Sequence, residues 1–216
     1  MKPSFKKGSI VKDYKIVMIL ILTAFFSVLC QAGFTANLST VDQTIIGTGN
    51  WVSNSTPAIF SYNVEQIKDI WHYEYNFNVP PGDVSYMIIE TSLNFTKADL
   101  LNVSGGSPEI GWWGSAPSAP YIPGDIFGIK FDGNSGNPCI ISFDSTRASM
   151  DGSFYAKDGK AGQLGFNTAW NSGFSCPDGT FIKVPDTATV IPVPSAILLS
   201  ALGVGVVGWL RRRKSL

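Results

Sequence analysis

The sequence predicts an all-β fold, an antiparallel β-sandwich or jelly-roll-like domain, and three features carry that prediction. From residue 71 to 79, Trp71, Tyr73, Tyr75, Phe77 and Val79 alternate with His72, Glu74, Asn76 and Asn78. Successive side chains of a strand point to opposite faces, so this period of two predicts a half-buried antiparallel strand with an aromatic inner face. Further apolar runs are short and bounded by Gly, Pro, Asn or Asp, the residues that turns between strands require. Only one short segment has a helical start signal. Many short strands with turn chemistry between them favour two stacked sheets.

In chain order, the first predicted strand covers residues 59–64 and the aromatic strand 71–79. Pro80, Pro81, Gly82 and Asp83 end the latter as a turn, and 84–90 supplies the next strand. At 96–101, Thr96 can cap a helix and Asp99, three residues on, can answer it, which predicts one or two helical turns. Strands are then expected at 126–131, 139–143, 153–157, 163–166 and 180–184, followed by a proline-bearing linker over 186–195.

Both ends predict routing segments. Lys2, Lys6, Lys7, Lys12 and Lys15 precede an apolar stretch over 16–30, and Cys30 and Ala32 supply small residues ahead of Gly33. That layout predicts a signal peptide over 1–32 cleaved before Gly33, with an uncleaved N-terminal anchor as the alternative. The exported domain then covers 33–185, an ordinary size for one core. At the other end, Pro192, Val193 and Pro194 precede an apolar transmembrane helix over 196–210 and a basic tail over 211–216. Arg211, Arg212, Arg213 and Lys214 act there as a stop-transfer signal, and the positive-inside rule puts them in the cytoplasm. Fifteen residues of helix span only ~22 Å at ~1.5 Å per residue, short of the ~30 Å hydrocarbon core. So short a span, entered through prolines, suits a transient, processed anchor better than a permanent one.

The whole chain balances 16 basic against 16 acidic residues, which hides an asymmetry. Nine of the basic side chains lie in the two ends, so residues 33–194 keep seven basic and fifteen acidic groups, a net charge of −8. A nucleic-acid partner is disfavoured, because binding phosphates needs a basic surface. Of the three cysteines, Cys30 falls in the leader, leaving Cys139 and Cys176 in an oxidising compartment. A disulfide between them is the economical expectation, against two thiols or a metal pair lacking further ligands.

No catalytic constellation and no cofactor site are evident. Gly203, Gly205 and Gly208 match a dinucleotide-binding spacing, yet lie in the apolar terminal segment with no strand before them. Residues 133–138 resemble a protease nucleophile turn, but His72 is the only histidine and sits in an alternating strand. Glu74, on the polar face of that strand, is the first candidate for a carboxylate-dependent hydrolase, and a solvated strand residue is its plainer account. Asp144, Asp151 and Asp158 could contribute to a calcium site but lack the dense oxygen ligands of a recognised loop. Trp112, Trp113 and Trp170 lie among Gly and Ser residues, and could form a platform that stacks on sugars; core packing is the stronger rival account.

The order proline motif, single glycine-bearing apolar helix, arginine cluster, chain end resembles the PEP-CTERM sorting signal of exported Gram-negative proteins. The resemblance covers the last ~25 residues, and Val193 stands where the namesake motif has glutamate. It implies export through the inner membrane by the export machinery and temporary anchoring there. Recognition of Pro192, Val193 and Pro194 by an exosortase-like enzyme would follow, then transfer to the cell surface or the extracellular polysaccharide matrix. A structural, adhesive or glycan-binding protein is the expectation, with a secreted polysaccharide hydrolase and a permanent single-pass membrane protein as alternatives.

Overall fold

The aromatic alternation folds as expected and organises one sheet. The computed structural model describes residues 33–52, 55–80, 82–133, 136–159 and 165–189. The predicted signal peptide, the motif at Pro192, Val193 and Pro194, the span over 196–210 and the basic residues Arg211 to Lys214 lie outside the described residues. Strands run in the order β1 (Gly33–Ser39), β2 (Ile45–Gly47), β3 (Ile59–Ile67), β4 (Ile70–Asn78), β5 (Tyr86–Glu90), β6 (Leu101–Ser104) and β7 (Ser107–Trp113). They continue with β8 (Ile126–Asp132), β9 (Cys139–Ser145), β10 (Arg147–Gly152), β11 (Phe154–Asp158), β12 (Asn167–Asn171) and β13 (Ile182–Thr189). A five-stranded sheet has the order β1-β3-β4-β9-β6, a six-stranded sheet the order β2-β12-β11-β5-β8-β7, and β10 and β13 form a ribbon. The ladders from β2 to β13 are antiparallel, so the described domain is all-β.

In β4, Trp71, Tyr73, Tyr75 and Phe77 are buried, while Glu74 and Asn78 are exposed. Their register against Phe60 and Val64 of β3, and against Cys139, Ile141 and Phe143 of β9, lines one face with apolar groups. Rings from the two sheets meet across that face: Phe60 stacks on Phe154 at 4.1 Å, and Phe143 on Phe131 at 5.9 Å. Burial of such rings is the main favourable contribution to folding. Buried tyrosines also reach polar partners: Tyr73 Oη donates to Arg147 O at 2.8 Å and Tyr75 Oη to Lys183 O at 2.9 Å. These bonds tie the β10–β13 ribbon to the five-stranded sheet.

β5, inside the six-stranded sheet, is buried on both faces, which explains why it reads Tyr-Met-Ile-Ile without alternation. Met87 and Ile89 share a face with Phe131 and Ile129 of β8. On the opposite face, Tyr86, Ile88, Tyr155 and Trp170 form a second apolar layer with Ala119, Ile122 and Ile126. Ala119 and Ile122 belong to the segment 114–125, which Tyr86 Oη holds by donating to Ser118 O, and Tyr155 Oη by donating to Pro120 O at 2.7 Å.

Several expectations are corrected. Gly165 and Phe166 are not in a strand, and the strand expected at 163–166 begins instead at Asn167. Gly165 has φ +102, a left-handed turn, and the polar β12 is stabilised by side chains such as Thr168, whose hydroxyl meets that of Thr48 at 2.7 Å. The helix expected at 96–101 is one 3₁₀ turn over Lys97–Asp99 before β6 begins. The last strand runs to Thr189, beyond residue 185 where the sequence places the end of the domain.

No disulfide joins Cys139 and Cys176. Cys139 begins β9 in register with Phe77 and is buried; Cys176 is exposed, just after the short helix α1 (Ser172–Ser175) that follows β12 of the other sheet. One side chain faces the core and the other faces solvent, so the sulfurs do not meet. Among the described residues, no helix is long and apolar enough to cross a membrane.

Candidate functional site

Where β5 ends, an open groove of about 450 Å³ forms. Its walls come from Glu90 and the turn after it (Thr91 to Asn94), from Trp112 at the end of β7, and from Asp125 and Phe127 around the start of β8. Met150 of β10 and Val184 of β13 complete it. Backbone bonds hold this end of β5 to its neighbours: Glu90 N donates to Ser153 O at 2.9 Å, and Thr91 N to Phe127 O at 2.9 Å.

Trp112 is the dominant feature. The residue is 63% exposed, and its ring is braced edge-on against Phe127, its cross-strand partner, with centroids 5.6 Å apart at 69°. Leu93 and Met150 are also exposed, so large apolar side chains gather at this groove. The polar groups are acidic or neutral. Glu90 Oε2 accepts a hydrogen bond from Ser153 N at 2.7 Å, and burial raises the Glu90 pKa above its ordinary value. The Thr91 hydroxyl is buried and has no hydrogen-bond partner among the described residues. Asp125 is exposed and lies against Gly114, where a Cβ would collide with its carboxylate, so glycine makes room for the acid.

The turn beside the groove is clamped from below. Arg147 Nε donates to Asp99 Oδ1 at 2.8 Å, and Arg147 Nη2 to Asn94 O at 3.1 Å. Asp99 Oδ2 accepts from the Thr96 backbone and hydroxyl at 2.8 and 2.9 Å. Burial pushes the Asp99 carboxyl up, but the bonds from Arg147 and Thr96 outweigh it and hold the pKa below its ordinary value.

The three tryptophans singled out from sequence do not share a surface. Trp112 and Trp113 are neighbours on one strand and must face opposite ways. Trp113 packs on the second apolar layer, its Nε1 donating to Gly128 O at 3.1 Å with the Lys130 ammonium 5.2 Å from its ring. Trp170 is buried in β12 within the same layer. Core packing therefore accounts for both, and Trp112 alone presents a ring to solvent. Glu90, Thr91 and Asp125 escape sequence reasoning because nothing local marks them.

The remaining candidates lie elsewhere. Glu74 is on the outer face of the five-stranded sheet, opposite Asn63 and Ser142, and does not line the groove. On the same face, His72 Nδ1 lies 2.6 Å from Asp144 Oδ1, and Asn102 Nδ2 donates to Asp144 Oδ2 at 2.7 Å. Asp151 pairs with Lys183 at 2.7 Å, and Asp158 accepts from the Ser85 hydroxyl at 3.2 Å. Asp144, Asp151 and Asp158 are thus engaged at separate places, and the described residues hold no cluster of three acidic, His or Cys side chains fit for a metal. No protein-family model matches the chain, and neither the curated proteins nor the solved structures contain a match to it.

Proposed function

We propose that this protein is an exported, non-enzymatic β-sandwich protein that binds glycans through the Trp112 groove. Its C-terminal signal, with Pro192, Val193 and Pro194 as the motif, sorts it to the cell surface or the extracellular polysaccharide matrix. The single observation that supports glycan binding is an exposed tryptophan face beside carboxylate and hydroxyl groups. A pyranose has an apolar C–H face that stacks on such a ring and hydroxyls that donate to such oxygens. The acidic charge of residues 33–194 and the basic tail support export and later processing.

Two measurements test this. Intact mass of the protein recovered from the surface of its host is expected to show both ends removed; a mature form still ending in Leu216 overturns the processing step. On a glycan array, binding is expected to survive Glu74→Gln and to fall roughly tenfold or more in Trp112→Ala, the effect of losing one stacked aromatic anchor. Turnover of a polysaccharide that disappears in Glu74→Gln would replace binding with hydrolysis.

A further inference from the structure

We infer that the groove selects a positively charged amino sugar, the repeat of a de-N-acetylated polysaccharide, over neutral and acidic sugars. This rests on the glycan-binding reading and adds the chemistry of the ligand. Two carboxylates, Glu90 and Asp125, line the groove together with Trp112. Neither belongs to an ion pair among the described residues, and no Lys or Arg lines the groove with them. Arg147, which holds the turn beside the groove, is taken by Asp99. Acidic groups outside the groove, such as Glu74, also stand outside the ion pairs, but Glu90 and Asp125 are two that line one groove with an exposed tryptophan. The groove is therefore a place where negative charge is left for something else to answer.

Thr91 supplies an independent indication of a polar ligand. It is 6% exposed, lines the groove, and its Oγ1 has no partner among the described residues. A buried hydroxyl without a partner is unusual, and rotation of the Thr91 side chain toward the groove would let a bound polyol satisfy it. The aromatic face asks for a flat apolar surface, and the carboxylates ask for a cation or hydroxyl donors. A hexosamine ring with a free ammonium offers all of these in one unit. Uronic or sulfated sugars bring charge of the wrong sign, to a groove whose domain already carries −8 over residues 33–194.

The test is calorimetric titration of the protein recovered from the host surface with four probes. These are a glucosamine hexamer, its N-acetylated counterpart, a glucuronate-containing oligomer and oligolysine. The glucosamine hexamer is expected to bind at least roughly tenfold tighter than the N-acetylated one, the size a lost charge-assisted hydrogen bond carries. That preference is expected to shrink with added salt and to collapse in Asp125→Asn, while Trp112→Ala weakens both sugars. Thermal melts of both variants show whether the fold survives, and Trp112→Phe, which keeps a ring, is expected to restore part of the binding. Equal or tighter binding of the N-acetylated hexamer overturns the charge selection and leaves glycan binding standing. Oligolysine binding as well as the glucosamine hexamer overturns the sugar in favour of a basic peptide. Failure of every glycan to bind overturns both.

Discussion

At the scale of single residues, buried polar side chains substitute for missing ladder bonds. Asn171, fully buried, accepts from Phe154 N at 2.8 Å through Oδ1 and donates to Thr180 O at 2.9 Å through Nδ2. It thereby joins β12 to β11 and to the segment leading into β13. Replacing it with alanine strands the buried Phe154 amide, which costs about 1–3 kcal/mol when unsatisfied, while Thr180 O keeps its bond from Gly173 N at 2.9 Å. Asn171→Ala is expected to lose about 2 kcal/mol in urea unfolding. A loss within ordinary surface-mutation scatter would show that water replaces the amide. Asn171 looks like a loop residue in the sequence, because asparagine is common in turns and disfavoured in strands. Its role is set by a carbonyl nine positions away and an amide seventeen away.

At the scale of elements, the Thr96–Asp99 turn shows how one acidic residue serves two partners. The capping signal is legible in the sequence, and Thr96 and Asp99 do bond to each other. What shortens the helix to a single turn is that the chain pairs with β9 from Leu101 onward, while Asp99 is drawn to Arg147. Arg147→Met removes the cation and leaves a largely buried carboxylate, a change expected to destabilise the protein by about 3 kcal/mol at neutral pH. The pH dependence has a definite sign. Asp99 in the folded protein titrates below its ordinary value of 3.8, so it stabilises above that value and the benefit is lost as pH falls through the folded pKa. The gap between Arg147→Met and the wild type is therefore expected to narrow below about pH 4. Chemical denaturation across pH checks this, and a constant gap would remove Asp99 as the group responsible.

At the scale of the whole molecule, two apolar layers rather than one disulfide hold the described domain together. One layer lies between the sheets, where Phe60 meets Phe154; the other lies beneath the segment 114–125. Cys139 is buried and Cys176 exposed, so native-state thiol labelling is expected to modify Cys176 quickly and Cys139 only on unfolding. Reductant is expected to leave the unfolding midpoint unchanged. Peptide mapping after labelling decides it, and a Cys139–Cys176 peptide recovered from unreduced protein would restore the bridge.

The all-β class, the aromatic strand and its inward face were determined by the sequence alone, since period-two alternation is a property of neighbours on one strand. The second buried face of β5 was legible only as a run that fails to alternate, and what covers it is a segment some thirty residues further on. The groove was decided entirely by tertiary structure. Glu90, Trp112, Asp125, Met150 and Val184 come from separate strands and turns, and converge because strand order and register bring those ends together. The same holds for the tryptophans: sequence places three of them near glycines, but side-chain parity and sheet burial leave only Trp112 facing solvent. Periodicity is local information, whereas a binding groove is a relation between distant parts of the chain, and only folding supplies it.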